Sequence, residues 1–360
     1  AQRRLARPRR EIHVVSRAAA SLGRREGSNT VVTYTDQRPT EDGRRSRSDR
    51  NNHATRLGAR LALVPVEAIE SLLESVVQPT PSRDRLLLLL AHDPRFSVRL
   101  QVAEQIANGP EGHIGSLNAA LMRLAADEIP LVRLTTARAL QQLLCGASPS
   151  LRVELIAEWS TSASALHREA LARALGGNLD AVGSRSALEL LSTDENAEVR
   201  RAVAEVAGLM PHPSPWPCLT VLRRLSLDSR PSVRASAIRS LGRTALAGEA
   251  SASLSALAKC ARTLDDETGR LALEEIRHVA SYHPKDATSA IQEVIEHADG
   301  LDAGEIVLVV DILRIGGGRH PLGVASLRRL GGASAGWVRD LALGALTSLE
   351  KPAGQLALAG

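Results

Sequence analysis

Asp194-Glu195-Asn196-Ala197-Glu198-Val199-Arg200 and Asp228-Ser229-Arg230-Pro231-Ser232-Val233-Arg234 decide the fold. Each places an aspartate six residues before an arginine, sets valine directly before that arginine, and runs on into small and aliphatic residues at helical spacing. The frame occurs twice more upstream, as Asp93-Pro94-Arg95-Phe96-Ser97-Val98-Arg99 and Asp127-Glu128-Ile129-Pro130-Leu131-Val132-Arg133. Weaker copies align at Arg168, Arg270, Ile306 and Arg339, the last within Trp337-Val338-Arg339. The markers 99, 133, 168, 200, 234, 270, 306 and 339 stand 32 to 36 residues apart, a period typical of chains built from one repeated supersecondary unit.

Each unit reads as two helices, A then B. In the second unit Val132, Thr136, Ala137, Leu140 and Leu143 share one face of a helix at 100° per residue, which makes this the buried B helix. Pro130 and Pro231 sit three residues before their arginine, where a proline in the first helical turn gives up no hydrogen bond. A helices are expected over Leu117–Ala126, Leu151–Trp159, Ala187–Leu191, Cys218–Leu227, Leu254–Leu264, Ala287–His297 and Leu322–Leu330. Val66–Val77 and Arg83–Ala91 read as leading helices, separated by Pro79 and Pro81.

These Asp…Val-Arg…Ala…Leu sets resemble the HEAT repeat family, and more closely the short HEAT-like repeats of phycobilisome lyases. The resemblance covers about residues 82–350; unit three lacks the acid, unit six has its acids displaced to Asp265 and Asp266, and unit seven has no arginine. It implies an all-α fold, a right-handed α-solenoid of about eight helix pairs in which each pair buries its face only against its neighbours. It also implies a protein-binding scaffold, and it allows a lyase or lyase accessory acting on a protein-bound chromophore. The expected layout is a basic, largely irregular segment over residues 1–58, a leading helix and linker over 59–81, the solenoid over 82–350 and a tail over 351–360.

The repeated charges read first as structure. Arg133 falls about 100° from Val132, inside the apolar stripe, and needs partners there. The Asp93/Arg99, Asp127/Arg133, Asp194/Arg200 and Asp228/Arg234 sets are therefore expected to form a ladder of pairs at the joints, within a unit or between units.

Charge divides the chain unevenly. Residues 1–60 hold fifteen arginines against six acids, a formal +9, and the other 300 residues hold 30 basic and 34 acidic side chains, a formal −4. The head clusters Arg3, Arg4, Arg7, Arg9 and Arg10, then Arg44, Arg45, Arg47 and Arg50, among Gly, Ser and Asn with little apolar periodicity apart from a weak alternation over Thr30–Thr35. Such a stretch buries too little surface to offset its ordering entropy. It is suited to phosphates or an acidic partner, so nucleic-acid association is the main alternative to a protein scaffold. Against a DNA glycosylase stand the acidic repeat body and the scarcity of stacking platforms: the six aromatics are Tyr34, Phe96, Trp159, Trp216, Tyr282 and Trp337.

Little catalytic chemistry is legible. Cys145, Cys218 and Cys260 are odd in number and far apart, which fits neither a disulfide framework nor a structural zinc site and points to a reducing, cytoplasmic setting. None of the ten histidines precedes a glutamate, so no metal or other cofactor is expected. Gly332-Ala333-Ser334-Ala335-Gly336 matches the G-x-S-x-G of a nucleophile elbow, but that elbow needs a strand before it and Leu322–Leu330 reads as helix. Gly316-Gly317-Gly318 beside Arg319 and His320 reads as an inter-repeat loop, and none of the three lysines stands where a phosphate-binding loop needs it. The longest clear apolar run, Leu86–Ala91, is far short of a membrane span, so no membrane partner is expected. Trp216, within His212-Pro213-Ser214-Pro215-Trp216-Pro217-Cys218, is a candidate partner anchor.

Overall fold

A computed structural model describes residues 64–75, 80–109, 114–177, 183–209, 218–264, 267–296, 301–317, 321–332 and 336–350. The arginine-rich head, the alternating stretch near Tyr34, Trp216 and the C-terminal tail lie outside the described residues. Within them run seventeen α-helices and no strand: α1 (Val66–Ser75), α2 (Pro81–Leu90), α3 (Phe96–Asn108), α4 (Ile114–Ala125), α5 (Pro130–Gly146), α6 (Pro149–Ser160), α7 (Ala165–Ala174), α8 (Ser184–Leu191), α9 (Ala197–Ala207), α10 (Cys218–Leu225), α11 (Pro231–Leu246), α12 (Ala250–Thr263), α13 (Glu267–Ala280), α14 (Pro284–Ile295), α15 (Ala303–Gly317), α16 (Pro321–Gly331) and α17 (Gly336–Glu350). From α2 onward the even-numbered helices are the A helices and the odd-numbered ones the B helices.

The repeat register holds throughout. All eight B helices begin three residues before their marker, at Phe96, Pro130, Ala165, Ala197, Pro231, Glu267, Ala303 and Gly336. This includes α15, whose unit has no marker arginine and whose position rests on period alone. Prolines start α2, α5, α6, α11, α14 and α16, positions where the missing N–H is not needed. Thr80 caps α2, its hydroxyl accepting from the Arg83 backbone N–H at 3.2 Å. Gly183 caps α8 with φ of 90°, a left-handed conformation that side chains with a Cβ seldom adopt.

The chain divides into two compact units, one comprising residues up to 105 with 109–120, the other 106–108 with everything from 121. In the first, Ile69, Leu73, Leu87, Leu90, Val98 and Val102 are buried. Two buried charges join that core: Arg83 stands 3.5 Å from Asp84 and gives a hydrogen bond to the Gln105 carbonyl at 3.3 Å.

In the second unit the B helices pack in sequence, α5 on α7, α7 on α9, and so on through α11, α13, α15 and α17. A helices pack on their own B helix, and α10, α12, α14 and α16 also follow one another. This is the stacking of an α-solenoid, where each pair covers its neighbour. A B helix touched on several sides buries a wider arc than its sequence stripe: on α5, Ala139 and Leu144 are buried along with Val132, Thr136, Ala137, Leu140 and Leu143. Small residues bring the helices close. At Gly208, which ends α9, a Cβ would stand 2.5 Å from the Ser240 Cβ on α11, and Ser240 Oγ donates to the Ala204 carbonyl at 2.8 Å.

Candidate protein-interaction face

The A-to-B turn is the same device in each well-formed unit. The aspartate accepts a hydrogen bond from the backbone N–H two residues on: Asp93 from Arg95 (2.9 Å), Asp127 from Ile129 (2.9 Å), Asp194 from Asn196 (2.8 Å) and Asp228 from Arg230 (2.9 Å). That Asx turn ends helix A and launches helix B. The marker arginine then folds back and gives Nη1 to the carbonyl of the residue six before it: Arg99 to Asp93 (2.9 Å), Arg133 to Asp127 (2.9 Å), Arg168 to Ser162 (2.8 Å), Arg200 to Asp194 (2.7 Å) and Arg234 to Asp228 (2.8 Å). The sequence places this arginine inside the apolar stripe; the turn carbonyls are what it finds there.

The opposite edge of the guanidinium reaches the next pair. Arg168 holds Asp194 through Nε at 2.6 Å and Nη2 at 3.0 Å, and Arg200 holds Asp228 through Nε at 2.7 Å and Nη2 at 2.9 Å. Arg234 gives its Nε to the Thr268 hydroxyl at 3.0 Å. These bidentate, nearly buried pairs are the strong form of the ion pair. Hydrogen bonds from Arg95 hold the Asp93 carboxyl below its ordinary range. Burial pushes Asp228 up, yet the Arg200 fork and the Arg230 N–H outweigh it and keep that carboxyl low as well.

Unit three departs from the pattern. Ser162 occupies the aspartate position; its hydroxyl accepts from the Ser164 N–H at 3.2 Å and lies 2.9 Å from His167 Nδ1, and His167 Nε2 lies 2.9 Å from the Met122 carbonyl. The His167 ring rests on the buried Trp159, with centroids 5.5 Å apart. A serine, a histidine and a tryptophan thus close the turn that an aspartate closes elsewhere. One hydroxyl, however, gives the preceding pair no carboxylate.

Near that joint is a cavity of about 270 Å³ lined by Pro130, Arg133, Leu134, Leu166, Glu169, Ala170, Arg173 and Arg201. Arg173 is matched by Glu169 at 3.0 Å and Glu205 at 2.9 Å, and Arg201 by Glu198 at 2.5 Å and Glu205 at 3.6 Å. Sequence reasoning missed this network because its members lie on α7 and α9 with no motif to mark them. It also missed the exposure of apolar side chains near the start of four B helices: Phe96, Leu131, Leu134, Val307 and Trp337 are 46 to 57% exposed.

Other sequence candidates resolve simply. A helix, α16, precedes the Gly332–Gly336 stretch, so the strand a nucleophile elbow requires is not there. Cys218 and Cys260 are buried, and burial raises the Cys260 thiol above its ordinary value, a poor nucleophile's setting. No helix of the described residues is long and apolar enough to cross a membrane. Trp216 and the head arginines, Arg3 to Arg10 and Arg44 to Arg50, are not among the described residues.

Among curated proteins none matches the chain. The Escherichia coli protein YibA is 15% identical, with 79% of this chain and 97% of that one covered at a TM-score of 0.41. An engineered protein is 18% identical, with 82% and 94% covered at 0.39. A designed armadillo repeat protein in complex with the peptide (KR)4 is 16% identical, with 69% and 99% covered at 0.32. Likenesses this distant bear on neither ligand nor activity. The family model for HEAT repeats matches residues 184–277, without singling out the phycobilisome-lyase kind, and this span contains two of the four turns with the complete Asp…Val-Arg frame, those of Arg200 and Arg234. Residues 184–277 are therefore similar to HEAT repeats, and the B helices before and after them keep the same marker register.

Proposed function

We propose that the chain is a non-enzymatic scaffold that holds a protein partner on the B-helix side of its repeats, in a reducing, cytoplasmic setting. The observation that carries this is that apolar side chains stand exposed near the start of four B helices: Phe96 on α3, Leu131 and Leu134 on α5, Val307 on α15 and Trp337 on α17. Single exposed leucines are ordinary on any surface. Their clustering near the starts of B helices, on α3 and α5 beside Arg99 and Arg133 that turn carbonyls already hold, supplies the apolar anchor and oriented polar group that partner sites use. The ordered arginine loses little further rotamer entropy on binding.

The experiment is capture of partners by the tagged full-length protein from lysate of its own source, with and without nuclease. A Leu131→Asp/Leu134→Asp variant runs alongside. A protein retained after nuclease treatment and lost from the variant is the expected result. Partners that vanish with nuclease, or bind the variant equally, would contradict it.

A second reading rests on the formal +9 of residues 1–60, which supports phosphate binding without sequence readout. It predicts nucleic-acid binding that weakens steeply with salt and disappears when residues 1–58 are deleted; salt-independent binding would count against it.

A further inference from the structure

Arg133 carries the ladder's geometry on one edge only. Its Nη1 is held by the Asp127 carbonyl at 2.9 Å and the Glu128 carbonyl at 3.1 Å, as in the other units. In Arg168 and Arg200 the Nε–Nη2 edge grips an aspartate 26 or 28 residues further on. The aspartate position facing Arg133 is Ser162, whose hydroxyl is engaged by Ser164 and His167. Among the described residues Arg133 meets no carboxylate, and neither Nε nor Nη2 is sealed from solvent. Of the three arginines lining the adjoining cavity, Arg173 and Arg201 are already matched by glutamates, so the cation left without an acid is Arg133.

We propose that the Nε–Nη2 edge of Arg133 is a carboxylate-binding site, filled by an aspartate or glutamate side chain of a protein partner that presents an aliphatic residue beside it. The proposal deepens the scaffold reading and rests on it. The chain itself contains the template: the same arginine, in the same turn, takes a carboxylate in a two-pronged grip at two neighbouring joints. The surroundings select a carboxylate over a phosphate. A phosphate calls for more than one unneutralised cation, whereas here a single unmatched guanidinium lines a cavity together with the exposed Leu134, Leu166 and Ala170. An acidic side chain next to a leucine, valine or isoleucine satisfies both parts at once.

The test is fluorescence anisotropy of a labelled peptide of alternating leucine and aspartate against the full-length protein. Peptides with asparagine or phosphoserine in place of aspartate run in parallel. Wild-type protein is expected to bind the aspartate peptide saturably, and Arg133→Gln to weaken it about tenfold. The decisive variant is Ser162→Asp, which supplies the carboxylate that the next unit provides elsewhere. It is expected to weaken peptide binding about as much as Arg133→Gln while leaving the melting temperature equal to or above wild type. Arg277→Gln, a change to an arginine that holds Asp311 on α15, is expected to bind like wild type. The assignment is overturned if wild type shows no saturable binding, if Ser162→Asp binds undiminished, if the asparagine peptide binds equally, or if the phosphoserine peptide binds more tightly. Nuclease-resistant capture of a protein by wild type alongside any of those outcomes removes this site and leaves the scaffold reading standing; loss of capture to nuclease removes the scaffold reading itself.

Discussion

Arg200 uses both edges of one planar group: Nη1 closes its own A-to-B turn on the Asp194 carbonyl, and Nε with Nη2 grips Asp228 of the next pair. Asp228 in turn spends Oδ1 on its own Asx turn as well as on Arg200. A single pair therefore fixes two turns and one joint. Replacing Asp228 with Asn keeps the shape but removes the charge and half of the fork. It is expected to cost about 1–3 kcal/mol at neutral pH, measured by chemical denaturation. The pH dependence follows from the sign of the shift. The folded-state pKa values of Asp93 and Asp228 are depressed, so their stabilisation is complete above the ordinary carboxylate range and is lost as pH falls through the lowered values. Wild type should lose stability below about pH 4, and Asp228→Asn should lose less over the same interval. An equal or larger acid loss in the variant would show that Asp228 is not a source of that dependence.

At the scale of the helix, apolar packing outweighs the ladder. Leu140 of α5 is fully buried, and truncating it to alanine is expected to cost about 2–5 kcal/mol, more than any one ladder residue. A loss under about 1 kcal/mol on denaturant titration would mean that α5 is rotated from the face described. Close approach matters as much as volume. Gly208→Ala sets a methyl group against Ser240 at 2.5 Å and should destabilise the α9–α11 contact by about 1–3 kcal/mol, read as a lowered melting temperature. The helices were legible because the well-formed units state their own boundary: an aspartate that makes an Asx turn, in two of them a proline at the first helical position, and an apolar stripe. Even the unit without an arginine kept its length, so α15 starts at Ala303 where the period puts it. The consequence of Ser162 was not legible. The frame shows that an acid is missing in unit three, but the effect falls on Arg133 of unit two, and only the stacking shows that the fork is made between units. The exposure of Leu131 and Leu134 follows from the helix period, because at 100° per residue both fall outside the arc of Val132, Thr136, Ala137, Leu140 and Leu143.

For the molecule as a whole, charge and apolar exposure assign different tasks to different parts. Residues 1–60 carry the positive excess and the rest a slight negative one, so any broad attraction to phosphate resides in the head. The repeat body instead offers local features, of which the Arg133 edge beside Leu134 and Leu166 is the most specific. The scaffold reading stands or falls on a protein partner lying on this B-helix face. The most direct measurement is site-specific photo-crosslinking of the full-length protein in nuclease-treated lysate, with the photoreactive residue placed either at Leu134 on α5 or at the exposed Glu154 on α6. The account predicts a discrete protein adduct from position 134 that is absent from position 154 and is suppressed by Ser162→Asp. Adducts from position 154 alone, or none from either, would contradict it.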